Sequence, residues 1–365
     1  MLKGIRIIDF SNYLPGPFAS QRIAELGAEV IKVEPVSGDP GRHLDIKIEG
    51  TGAVFAANNR GKKSITLDLK SEEGKNAALM LISESDAVLE SFRPGVMKKL
   101  GLDYETVKKH KPNIVYCSLT GYGEHKDYQY LGSHDLNYMA VSGVLAQLKD
   151  RSGRPVHPTH TIADFMGGLA ASERILAALL SSKMFGKGGY HCISIAEVMA
   201  STMGNHLLIE KKTGYTNGLS VLNGEVVAYS IYETKDARFA ALAALEPKFW
   251  INFCENAERE DWIEYHLSSA TSDNPVYLEI TEFFKSRTLK DWTEFGQKAD
   301  CCLTPVLESG ELADFPLFNR VLDANGKYPW VKMHGGFDSA IGCPPDLGEN
   351  NEELLSSIAK KNMNV

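Results

Sequence analysis

Apolar residues in the first third of the chain alternate between two patterns. IRIIDF, AEVIKVEP, SITLDL, DAVLESF and NIVYCSL are short, nearly continuous apolar runs. Runs of that length suit strands covered on both faces. Between them FASQRIAELG, SEEGKNAALMLISES and YETVKKH repeat their apolar positions every three to four residues, as helices do, and Gly27 closes the first.

Strand, helix and strand in this order make βαβ units, and parallel strands joined by crossover helices imply a sheet covered on both sides. The expected fold class is α/β, with a Rossmann-like large domain. The turn after the first strand, SNYLPGP, has no GxGxxG, so a dinucleotide is not indicated. From Asp164 a helical pattern, FMGGLAASERILAALLSSKM, runs to GKGG, and IAEVMASTMGNHLLIEKK forms a further helix ending near Gly214. Past Asn223 the pattern changes to EVVAYSIYET and ARFAALAAL, which read as paired strands, followed by the helix start EPKFWINFCENA. The expected division is 1–190 as the large α/β domain, 191–224 as a helical linker and 225–312 as a small α+β domain. A second linker over 313–327 leads to a segment, 328–365, that returns to the large domain.

At 365 residues the chain is long enough for two domains, and 43% hydrophobic with 24% charged residues is ordinary globular composition. The formal net charge of −8 argues against a nucleic-acid surface. Any anionic ligand therefore needs a local group of basic side chains. The six cysteines show neither CxxC nor zinc-ligand spacing and read as reduced thiols, mostly core filler. No run approaches 18 apolar residues, so no membrane span is expected. The N-terminus enters a strand directly, and a soluble, cytoplasmic protein is expected.

Two loops rich in small residues carry the candidate chemistry. LGSHDLNY at 131–138 presents His134, and IADFMGG at 162–168 presents Asp164, thirty residues further on. An imidazole exchanges protons at physiological pH, and a carboxylate serves as a second base or as a nucleophile. Asp164 stands where a loop becomes a helix, an N-cap setting. Free N–H groups of that first turn could stabilise an oxyanion, and Gly167 and Gly168 would admit a bound group close to the backbone. His157 and His160 in HPTH lack further ligands at metal spacing and read as a loop pair.

The order of IRIIDFSNYLPGPFASQRIAELGAEVIKVEP, GDPGR, NNRGKKSITLDLKSEEG, DAVLESFRPGVMKKLGLDYE, SLTGYG, GSHDLNY, ADFMGG, ALAALEPKFW, CCLTPVLESGELADFP and PPDLGENNEELL resembles the family III CoA-transferase (CaiB/BaiF) superfamily over nearly the whole chain. GSHDLNY is similar to the segment of the α-methylacyl-CoA racemases within it. The resemblance implies catalytic roles for His134, Asp164 and Glu246 (in LEPKFW), with Glu246 orienting the imidazole. It also implies that the nucleotide end of CoA lies on the large domain, where Arg42, Arg60, Lys62, Lys63 and Arg93 are suited to its phosphates. Gly121 and Tyr122 follow a strand end, where ligands of open α/β sheets collect. Members of the superfamily form interlocked dimers, so a homodimer is expected. No separate cofactor or metal is expected, CoA entering as part of an acyl-CoA substrate.

Three departures bear on the substrate. EHKDYQ stands where many relatives have a GP pair, Met166 interrupts an FGGG, and Asp236–Ala237 replaces a DG turn, so an altered or longer loop is expected there. Three readings follow. One is epimerisation of a 2-methylacyl-CoA by two bases through an enolate. The second is CoA transfer to a carboxylate with Asp164 as nucleophile, and the third is CoA binding without chemistry.

Overall fold

The computed structural model describes residues 1–150, 152–318, 321–323, 330–331 and 342–362. The chain divides into two compact units, Met1–Met203 with Asn319–Val365, and Gly204–Phe318.

The first unit is built on a six-stranded sheet of β1 (Arg6–Asp9), β2 (Glu29–Glu34), β3 (Lys63–Thr66), β4 (Ala87–Glu90), β5 (Val115–Thr120) and β6 (Gly189–Ser194). All its pairings are parallel. The order is β3-β2-β1-β4-β5-β6. The chain steps outward from β1 to β3 and then returns to β4, so the strand order reverses between β1 and β4. In open α/β sheets ligands bind outside the carboxyl ends of the strands at that reversal. Here Asn12 N–H, just after β1, donates to Ser91 Oγ, just after β4, at 3.1 Å.

Both faces of the sheet are covered, which explains the continuous apolar runs. On one face Ile7, Leu89, Val115 and Cys117 pack with Ala19 and Ile23 of α1 (Pro15–Glu25). On the other, Ile8, Ile31, Val88 and Tyr116 pack with Leu81 and Ile82 of α2 (Glu72–Ser83) and Val107 of α3 (Tyr104–His110). Ser71 Oγ caps α2 by accepting from Gly74 N–H at 3.0 Å. Gly27 takes the left-handed conformation, φ +94°, that ends α1.

One long helix and two short ones carry the site region. These are α4 (Asp135–Val141), α5 (Ile162–Phe185) and α6 (Ile195–Ser201). Ala171 and Ile175 of α5 and Met199 of α6 join the core on the α1 face. Residues 191–201 are therefore sheet and helix of the first unit rather than linker. The single helix expected over 195–212 is two, α6 and α7 (Gly204–Thr213). The break follows a tight turn in which Thr202 and Met203 N–H bond to the carbonyls of Met199 and Ala200, and Gly204 weakens continuation.

Residues 342–362 belong to the first unit and run along the outer edge of β3. Ser64 N–H donates to Asn350 Oδ1 at 3.0 Å and Thr66 N–H to Asn351 Oδ1 at 2.9 Å, while Asn350 N–H donates to the Ser64 carbonyl at 2.9 Å. Leu354 of α11 (Asn351–Asn362) packs among the residues beneath α2. Much of 319–341, where a linker and the start of the returning segment are expected, lies outside the described residues.

The second unit holds an antiparallel sheet, β7 (Tyr229–Glu233), β8 (Phe239–Ala243) and β9 (Leu303–Pro305), in the order β9-β8-β7. Trp250, Phe253, Trp262, Phe284 and Trp292 fill its core from helices α8 (Pro247–Asn256), α9 (Pro275–Phe284) and α10 (Leu289–Ala299) and the turn between α8 and α9. The β7–β8 loop spans five residues, and in it Ala237 holds φ +54°, a conformation glycine adopts without strain. Ala237→Gly is expected to stabilise the second unit by about 1 kcal/mol, read as a higher denaturation midpoint. An unchanged or lower midpoint counts against strain at this turn.

Candidate active site

The loops beyond β4 and β5 and the first turns of α4 and α5 meet at the carboxyl edge of the sheet. Gly121 follows β5, and a side chain there would come within 2.6 Å of Ser133 Oγ and of the Tyr138 ring. Its lack of a Cβ lets Tyr138 of α4 lie across the strand end, where Ser133 Oγ donates to Tyr138 Oη at 3.0 Å. Tyr122 packs edge-on against Tyr138, with ring centroids 5.7 Å apart, and against Tyr128 at 5.9 Å. Gly121 and Tyr122 thus support the loop that carries His134.

His134 is the exposed residue preceding α4, and its N–H is held by Asn137 Oδ1 at 3.0 Å. Asp164 is half-buried in the first turn of α5. It is not the helix cap: α5 begins at Ile162, and Thr161 holds the N-cap position without a side-chain hydrogen bond. Asp164 N–H instead donates to Oδ1 of Asp135, the neighbour of His134, at 3.0 Å. This bond spans 29 residues of sequence and ties the two candidate loops together. It also removes the Asp164 N–H from the groups that could face an oxyanion. Burial, and then the charge of Asp135, push the Asp164 carboxyl up to about 7. Sequence reasoning passed over Asp135 beside its more conspicuous neighbour; a second carboxylate inside HDLN, near the start of a helix, was the available signal.

Gly167 and Gly168 serve packing. A Cβ on Gly167 would lie 2.8 Å from Ile195 Cγ1, and one on Gly168 would lie 2.6 Å from the Pro15 carbonyl. Both are buried where α5 crosses α6 and α1. Close helix contact, rather than approach of an acyl chain, accounts for them. Met166 is partly buried against the same core.

The basic residues fall into two groups. Arg42 is buried in a two-pronged pair with Glu34, at 2.7 Å from each nitrogen, and its guanidinium lies 3.6 Å from the centre of the Phe55 ring. Lys62 is fully enclosed, its Nζ bonded to Asp9 Oδ2 at 3.1 Å, the Pro17 carbonyl at 2.9 Å and Asn59 Oδ1 at 2.8 Å. Three acceptors use all three ammonium protons. Burial, with Lys32 nearby, lowers Lys62 to about 8. Asp9, despite its burial, is held down to about 2 by Lys62 and Lys32. Arg60 is buried also, its N–H donating to Gln21 Oε1 at 2.9 Å. Lys63 pairs with Glu29 at 2.9 Å and with Glu353. The cluster expected to face phosphates is therefore committed to internal partners at Arg42 and Lys62, and Lys63 is neutralised by two carboxylates. Alternating side chains on β3 and a strand-end cradle of carboxylates explain this, and neither is visible in the string NNRGKK. Arg93 differs: it is exposed beyond β4 and has no ion pair among the described residues. Its Nη2 reaches within 3.3 Å of where a side chain on Gly132 would begin, beside the His134 loop.

Glu246 belongs to the second unit. It is exposed at the N-cap position of α8, where its carbonyl accepts from Phe249 N–H at 3.0 Å. His157 and His160 are exposed, and His160 stacks on Phe165 with centroids 5.0 Å apart. All six cysteines are free; Cys117, Cys254 and Cys301 are buried and Cys343 is exposed.

The sheet order and these two loops define an α/β protein with a candidate site at its strand ends. The family model for CoA-transferase family III matches residues 2–349, and the chain belongs to that family. Alpha-methylacyl-CoA racemase of Mus musculus is 32% identical, covering 97% of this chain and 92% of the relative. Succinyl-CoA:glutarate CoA-transferase of Mus musculus is 34% identical over 64% of this chain and 55% of that protein. A solved CaiB/BaiF family protein from Brucella suis superposes with a TM-score of 0.85 at 24% identity, covering 98% of both chains. The chain is an enzyme of the family III CoA-transferase and racemase superfamily. Among the described residues no helix is long and apolar enough to cross a membrane.

Proposed function

We propose that the chain inverts the α-carbon of a 2-methyl-branched acyl-CoA, with His134 and Asp164 as the two bases. The carrying observation is the Asp135 bond, which holds the Asp164 turn against the loop of an exposed histidine. One base removes the α-proton, and the C–H electron pair moves into the thioester carbonyl to give an enolate. The other base, already protonated, returns a proton to the opposite face, and the two protonation states are exchanged at the end. A carboxyl at about 7 suits both halves of that cycle, since it gives and takes protons near neutrality. No metal or redox cofactor takes part, and CoA enters only within the substrate. Arg93, with its exposed guanidinium, is the candidate contact for a CoA phosphate. The enzyme works in the cytoplasm as an interlocked homodimer, and Glu246 has a catalytic role.

The second reading is CoA transfer, favoured by the identity to a CoA-transferase. Asp164 would attack the acyl-CoA carbonyl, releasing CoA thiolate and forming a mixed anhydride; the thiolate would then attack the aspartyl carbonyl, expelling the free acid. That chemistry needs an ionised carboxylate, whereas a carboxyl raised to about 7 is largely protonated in mildly acidic solution.

The test is a single-epimer 2-methylacyl-CoA in D₂O with no acceptor acid. Deuterium is expected at the α-carbon with the thioester intact. No exchange, together with CoA moving to an added carboxylic acid, gives the reaction to the transferase reading.

A further inference from the structure

We infer that Asp135 is a positioning residue for this reaction: its buried carboxylate locks the first turn of α5, and so the carboxyl of Asp164, against the loop that presents His134. The inference rests on the proton-transfer reading and assigns a role to a residue that reading leaves out.

Three observations carry it. Asp135 is only 9% exposed, and no cation pairs with it among the described residues. Burying a carboxylate in this way is costly. Its Oδ1 nonetheless reaches across to Asp164 N–H at 3.0 Å. Finally, α5 lacks the local cap its sequence position offers, because the Thr161 side chain makes no cap bond. The acceptor for this N–H is thus supplied by α4, and a carboxylate near two helix N-termini is partly stabilised by their dipoles. His134 and Asp135 are consecutive, so a rigid dipeptide sets one base with its own side chain and the other through the bond. Other titratable groups stand on the surrounding elements: Tyr138 on α4, Glu197 on α6, Arg22 on α1 and His160 before α5. Of all these, Asp135 is the one whose charge acts on Asp164.

Two variants separate the bond from the charge. Asp135→Asn keeps an oxygen that accepts from Asp164 N–H but removes the negative charge; Asp135→Ala removes both. Two measurements are made on the full-length protein: the Asp164 carboxyl midpoint, by ¹³C NMR of aspartate-labelled enzyme without substrate, and the pH profile of α-deuterium exchange. In Asp135→Asn the Asp164 midpoint is expected to fall by about one pH unit, because a like charge has gone. The acidic limb of kcat should move with it. In Asp135→Ala kcat is expected to fall about tenfold or more, with KM changed much less, because orientation of a reacting group is lost. Wild-type kcat in Asp135→Ala overturns the inference, and so does a variant pair that loses thermal stability while keeping the wild-type profile. If the wild-type enzyme exchanges no α-proton, the racemase reading fails. The NMR midpoint still decides whether Asp135 controls Asp164.

Discussion

Alanine at either His134 or Asp164 is expected to abolish epimerisation, each change costing about 10²–10⁴-fold in kcat. Inversion needs a base on one face and an acid on the other, so loss of either stops net conversion in both directions. The variants should still differ. The base that remains can remove and return the α-proton on its own face, so each variant is expected to wash deuterium into one epimer without inverting it. The pH dependence adds a sign. With Asp164 as the base, the rate should fall as pH drops through about 7, because the carboxyl is then protonated. With Asp164 as the acid, the rate should fall as pH rises through the same region. Opposite limbs for the two epimers are the signature of this pair. Full two-way activity in His134→Ala removes the two-base assignment.

Lys62→Ala is expected to unfold the protein rather than weaken its hold on CoA. The change leaves Asp9 buried, with Lys32 as its remaining nearby cation, and breaking a buried pair from one side costs about 3–5 kcal/mol. Urea denaturation should show this loss, and residual folded enzyme should keep its KM. Arg93→Ala is expected to do the opposite, raising KM about tenfold with stability and kcat largely kept, as for one charged hydrogen bond remote from the reacting carbon. A stable Lys62→Ala enzyme with raised KM returns the NRGKK segment to the ligand.

The first five strands of the large unit were legible because each is short, apolar and closed by turn residues, whereas β6, GYHCIS, is partly polar and only half covered, and no apolar run announces it. The helix over 15–25 was equally plain from its period and from Gly27. The break at Met203–Gly204 was not, since the apolar spacing runs on through it. His134 and Asp164 could be named from two short motifs, yet what joins them is a side-chain-to-backbone bond across 29 residues, and no local pattern records such a bond. Charge alone says least at Lys62 and Arg42. A sequence lists basic residues without their partners, and here Asp9 and Glu34 come from other strands. Glycines alone say as little: Gly167 and Gly168 suggest an opening for a ligand, whereas they let α5 sit close to α6 and α1.

The bonds from Asn350 and Asn351 to β3 have a consequence for how the protein is made. Asn350 is 286 residues downstream of Ser64. At ribosomal rates of about 5–20 residues per second, translation needs roughly 15 to 60 seconds to cover that interval. Throughout it the outer backbone of β3 has emerged without its partners, and a bare strand edge invites pairing with a neighbouring chain. Gly204–Phe318 is also synthesised inside that interval and can fold as a body while the first unit is still open. Newborn chains should therefore be most prone to stick together before synthesis ends, and a ribosome stalled late enough for residue 318 to have cleared the exit tunnel should hold a finished second unit beside an unfinished sheet.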